Sequence, residues 1–329
     1  METEQGKLPP PPRLFASLVA GFDAVATHIA IILPPVLLDL FLWLGPHLSV
    51  KQFVQPVIDS LTTLASSSFL SLNATDVTTA QKMYTDFFAR FNLFALLRTF
   101  PVGSTSLLSF ELSSQNPLGA PLSLNAGSFV TILGWIMLLA LVGWLFGAIY
   151  YHYVFTATLK PEEQSLRRSV KQAILLCLIW TVLIFVFGIP ALVFMTVMAA
   201  ISPLLGQIIL FVGVIVVIWL MMPIFFSPHG IYTLRLNAFR SILNSLRLVR
   251  FTLPNTGLFL LTFLIINQGL NFLWNTPAQN TWWVLVGIAG HAFVSTALLS
   301  ASFIYYRDID VWLKAVLEML QRQQASPKI

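Results

Sequence analysis

The chain has 329 residues, 57% of them hydrophobic and only 9% charged, with a formal net charge of +5. A soluble surface needs roughly a quarter of its residues charged, so soluble enzymes and free binding modules are excluded and a polytopic membrane protein is expected. A single cysteine, Cys177, excludes an intrachain disulfide.

In chain order, the opening METEQGKLPPPPR is polar and proline-rich and lacks the layout of a signal peptide, so no cleavage is expected. Residues 14–26 are amphipathic, with Phe15, Leu18, Val19, Phe22 and Val25 on one side. Residues 28–48 are long and apolar enough for a first span. Pro34 and Pro35 are expected to kink it, and Asp39 lies inside it. Residues 49–125 read as an extended external loop. The further spans fall at about 129–150, 173–199, 206–226, 257–274 and 282–305, and residues 307–329 form a polar tail.

Six spans place both termini on one side of the membrane. Fourteen of the eighteen Lys and Arg residues fall on that side, and the other four all sit in the 49–125 loop. Basic residues concentrate in the cytoplasm, so both termini, the 307–329 tail and a helix over 231–252 are expected to be cytoplasmic.

The 231–252 stretch is the most informative. At a helical period, Ile231, Ala238, Ile242, Leu246 and Val249 share one side, while Arg240, Arg247 and Arg250 fall on an adjoining arc with Arg235 at its edge. Such a helix lies in the headgroup layer, burying its stems and reaching phosphates with its guanidinium groups. These four arginines are the candidate lipid-headgroup contacts. Three times an amphipathic segment (13–26, 160–171, 231–250) precedes a pair of spans, which suggests three repeats of interfacial helix plus helical hairpin.

The run NAFRSILNSLRLVRFTLPNTGLFLLTFLII, over 237–266, resembles the interfacial helix and following span of the bacterial membrane domain found with some glycerophosphodiester phosphodiesterases. The closing STALLSASFIYYRDID is similar to that family's last span and its exit. The resemblance implies an all-helical inner-membrane protein without assigned chemistry, and no residues remain to build the phosphodiesterase domain.

Sequence motifs for catalysis are missing: no phosphate-binding glycine loop, nucleophile elbow, HExxH or Cys/His cluster is present. No enzyme activity, cofactor, metal or nucleic-acid partner is expected. Three features inside the spans stand out. Asp39 is the one full charge there, and an intramembrane acid is a functional candidate by default. Asn267 and Asn271 face the question of how to satisfy their amides, as does His291 across a short turn, and Asn267 is expected to meet His291. Gly143 and Gly147 form a GxxxG expected to be a close-packing face. The fold expected is thus an all-α integral membrane protein of one domain over 1–329. The expected role is a non-catalytic scaffold or accessory subunit contacting anionic lipid or a membrane partner. The alternative is a transporter of a small or lipidic substrate that uses Asp39.

Overall fold

The computed structural model describes residues 10–65, 74–108, 116–161 and 165–325. It is helical, and five helices are long and apolar enough to cross a membrane; a sharply bent pair makes a sixth candidate.

That bent pair is the first departure from the sequence reading. Helix α1 (Leu14–Thr27) and helix α2 (Leu33–Leu44) meet at 99° across a 3-10 turn, Ile29–Ile32. Pro34 and Pro35 do not kink a continuous span. They sit in the first turn of α2, where the amides have no helical acceptor and the missing N–H costs nothing. The break lies before them, at His28. Helix α1 is not a separate surface helix either. Ser17, Leu18, Gly21 and Val25 are buried, whereas Phe15 and Val19 are exposed. A Cβ on Gly21 would lie 2.6 Å from the carbonyl oxygen of Ala297, so only glycine permits this approach to the last helix.

The 49–125 region is more than a loop. A short strand β1 (His47–Ser49) pairs in parallel with β2 (Ser123–Asn125). Between them α3 (Lys51–Ala65) and α4 (Ala74–Arg90) pack on one another, and a 3-10 turn follows at Leu93–Leu97. The chain then turns inward, and Val102, Gly103, Ser104, Ser106, Leu107 and Leu108 are buried.

Helix α5 (Phe129–Leu159) begins under the Ser128 cap and carries no charge along its length. Helix α6 (Leu166–Leu183) starts at Ser165, whose hydroxyl accepts from the Arg168 amide, and passes through a π turn (Ile184–Gly188) into α7 (Ile189–Ile201). Pro190 cannot donate to the carbonyl of Val186, and the widened turn absorbs that lost bond. Helix α8 (Pro203–Thr233) returns. Helix α7 and the first two thirds of α8 form a hairpin whose apolar residues are almost all on the surface, with only 6% of the α8 apolar window buried, whereas α8 from Pro223 onward enters the core.

The helix expected over 231–252 is divided differently. Ile231 belongs to the end of α8. The chain turns at Arg235, which adopts a left-handed φ of 52°, and α9 (Ala238–Trp274) starts where the Asn237 side chain accepts from the Arg240 amide. A kink at Thr252 (φ −123°) precedes Pro254, whose ring and missing N–H disrupt the preceding turn. The surface helix is thus 238–251. The segments at 13–26, 160–171 and 231–250 therefore take three different geometries. One packs on the last helix, one is from Leu166 onward the first turns of α6 itself, and one is set off by a kink.

Helix α10 (Val284–Ala325) is the central pillar, with 72% of its apolar window buried. Leu298, Ala301 and Ile309 on its one side pack with α1, α8 and α9, while Leu299 and Phe303 on another pack with α5, α6 and α8. The end of the bundle where α3, α4 and the 275–283 turn lie is called the loop end below; the opposite end, where α6 and α9 begin, is the arginine end.

Candidate functional site: the Asp39 cradle and the polar seam of α10

The chain dips from the loop end into the bundle over residues 97–108, and α5 is shaped to receive it. A Cβ on Gly147 would lie 2.5 Å from the Cα of Gly103, and one on Gly143 would lie 2.6 Å from the carbonyl oxygen of Leu97. The GxxxG of α5 therefore receives irregular backbone, not another helix. The face is close-packed, as its glycines lead one to expect, because two glycines one turn apart make a groove for any close backbone. The Tyr151 hydroxyl donates to the carbonyl of Pro101 at 3.2 Å. The Cys177 thiol on α6 reaches the backbone of Val102.

Irregular backbone at membrane depth persists only where protein satisfies it. Here Asp39 of α2 does much of that. It is fully buried, and its carboxylate accepts from the Ser106 hydroxyl at 2.5 Å, the Leu107 amide at 3.0 Å and the Leu108 amide at 3.2 Å. The charge of Arg98 acts on the same carboxylate from the mouth of the segment, and on His291 as well. Charge-assisted bonds to backbone amides are among the strongest a protein makes. Asp39 thus ties the broken first span to the inserted segment.

Helix α10 carries a seam of buried polar side chains below this cradle. Ser295 pairs with Thr105 of the inserted segment at 2.7 Å, Thr296 with Tyr150 of α5 at 2.8 Å, Ser300 with Thr158 of α5 at 2.6 Å and Ser302 with His229 of α8 at 2.7 Å. Each bond joins α10 to a different neighbour or level. In an apolar surrounding such pairs fix register.

No protein-family model, curated protein or solved structure matches the chain. The site therefore rests on its own geometry.

Of the residues singled out from sequence, Asp39 is in the cradle. His291 is buried and lies near the loop end of α10, and its Nδ1 is 2.9 Å from Oδ1 of Asn271. Asn267, the expected partner, is half-buried one helical turn away. The shift has a visible cause. The ring of Trp274 seats on Gly290 and its carbonyl on Gly287, which draws the end of α9 down along α10 and brings Asn271 level with His291. Arg240, Arg247 and Arg250 are all exposed on α9, beside the equally exposed Phe239, Leu243 and Phe251. The opposite face, with Ser241 and Ser245 fully buried, packs inward. Arg235 stands apart from them in the α8–α9 turn.

Sequence reasoning missed Arg98, Thr105 and Ser106. Among the described residues no cluster of three or more His, Cys, Asp or Glu side chains could hold a metal. What the arrangement can do is bind segments together and set helices in register.

Proposed function

We propose that the chain is a non-catalytic integral membrane protein, a scaffold or accessory subunit, threaded six times with both termini and the arginine end in the cytoplasm. The observation that carries this reading is the state of Asp39. Its carboxylate is taken up by three donors of the chain's own inserted segment. A carrier's acid must exchange partners with cargo, whereas an acid held on both oxygens by the chain's own donors acts as a latch. The exposed arginines beside Phe239, Leu243 and Phe251 suit an anionic bilayer surface.

A second reading, a transporter of a small or lipidic substrate that works through Asp39, has one observation in its favour. Discontinuous helices and buried irregular backbone recur at the binding sites of transporters, and α1–α2 with 97–108 has both.

One experiment separates them. Purified protein is reconstituted in liposomes loaded with a pH-sensitive dye, and proton and monovalent-cation fluxes are followed. The scaffold reading expects fluxes equal to those of empty liposomes. A flux that Asp39→Asn abolishes would establish the transporter instead. Orientation is tested with Lys82→Cys and Arg247→Cys, each in a Cys177→Ala background. Both positions are exposed, and an impermeant maleimide should reach them from opposite sides.

A further inference from the structure

We infer that the cleft between the start of α6 and the α8–α9 turn binds a single phosphoryl group, either on a lipid headgroup or as free phosphate. The cleft has a volume of about 200 Å³ and is lined by Ser165, Arg168, Ser169, Gln172, Ile231, Arg235 and Leu236. That is far above the roughly 15 Å³ that one water needs by the same measure. Ile231 and Leu236 supply its apolar part; two arginines, two serines and a glutamine supply the rest, and no carboxylate is among the described lining residues.

The local fold holds the Arg168 guanidinium on the backbone of Arg235. Arg235 takes the left-handed backbone conformation, and an Arg168 side-chain N–H donates to its carbonyl oxygen at 2.9 Å. Gln172 accepts from the amide of Ala238 at 2.9 Å, which clamps the start of α9 to the side of α6. The turn is therefore fixed on α6 by two bonds, one at each edge of the cleft. A guanidinium has five N–H donors, and the described bond to Arg235 uses one of those on Arg168. Planar, forked donors match phosphoryl oxygens in pairs.

Two helix N-termini add to the field. Ser165 is the cap of α6, and Arg235 and Leu236 immediately precede the Asn237 cap of α9. The positive ends of both helices thus lie against the cleft, where they favour an anion. The cleft is at the arginine end, at the level of the exposed arginines of α9, and it is walled, where those arginines lie open on a surface. This distinguishes a discrete site from general attraction to an anionic membrane. The cleft is separate from the Asp39 cradle, so the inference stands or falls independently of whether the chain carries a cargo.

The test uses the full chain purified in a neutral maltoside detergent, with two probes, inorganic phosphate and dioctanoyl phosphatidic acid, titrated by calorimetry. Arg235→Asn removes the cation and keeps a residue that tolerates positive φ. It should weaken binding about tenfold or more, the usual size of a lost charge-assisted contact. Arg168→Lys keeps the charge and loses the fork, and should weaken it less. Lys82→Gln, exposed on α4 at the opposite end of the bundle, should bind as the parent does, and a thermal melt of each variant checks that the fold is kept. Binding of both probes identifies a free-anion site, and binding of the lipid alone identifies a headgroup site. The inference is overturned if the parent binds neither probe, if Arg235→Asn binds as tightly as the parent, or if Lys82→Gln weakens binding equally.

Discussion

His291 Nδ1 meets Asn271 Oδ1 at 2.9 Å, and the Asn271 amide nitrogen donates in turn to Gln268 at 3.1 Å. With Oδ1 facing the ring, Asn271 can only accept, which makes Nδ1 the donor. Removing either partner leaves the other short of a bond in a dry place. In detergent melts, the cycle of Asn271→Leu with His291→Leu should give a coupling of about 0.6–1.7 kcal/mol. Asn267→Leu combined with His291→Leu should be additive. Coupling at Asn267 and none at Asn271 would contradict the observed register.

The Asp39 latch gives a second expectation. Asp39→Leu leaves the Ser106 hydroxyl and two amides without their acceptor, at about 1–3 kcal/mol for each buried group left unpaired. Ser106→Ala removes one donor and leaves the two amide bonds, so it should cost about 1–2 kcal/mol. Both should raise hydrogen exchange across 98–108, Asp39→Leu far more. Unchanged exchange in Asp39→Leu would mean that other contacts hold the segment.

For the glycine groove of α5, Gly147→Ala places a methyl against the backbone of Gly103. Overpacking of this kind costs about 1–3 kcal/mol. A cysteine at Thr105 should label faster in that background, and the particle mass in detergent should not change. A change in mass without faster labelling would mean that the glycines join copies of the chain and do not seat the segment.

The exposed face of α9 supplies a fourth expectation. Near an anionic surface each basic residue contributes about 1 kcal/mol. A peptide spanning 237–252 should bind vesicles of anionic lipid, weaken stepwise with Arg240→Gln, Arg247→Gln and Arg250→Gln, and lose binding in high salt. Equal binding to neutral vesicles would remove the electrostatic part.

Helices α5 to α10 were legible in the sequence because each holds a long apolar run that only a bilayer explains. Helix α1 was misread because its contact is made by small residues. A hydrophobic stripe gives weight to Phe15 and Val19, which are exposed, and none to Ser17 and Gly21, which are buried on α10. Asp39 was conspicuous as the one charge in a span, yet its partners were not. Ser106, Leu107 and Leu108 lie in a run without helical or strand period, and a run of Gly, Ser and Thr looks the same whether it floats in water or lines a bundle. The His291 register turned on where the Trp274 ring comes to rest, which span lengths do not contain.

The inserted segment has a consequence for how the protein is made. Residues 97–108 leave the ribosome before α5, α6 and α10, the helices that wall them in. Thr105 and Ser295 are 190 positions apart in the chain. Until the final helix enters the bilayer, Asp39 and the α5 groove can hold this stretch, but Thr105 lacks its Ser295 partner and the pocket lacks its last wall. Synthesis therefore proceeds with a waiting part, and the last helix to arrive is the one that closes the bundle around the first third of the chain.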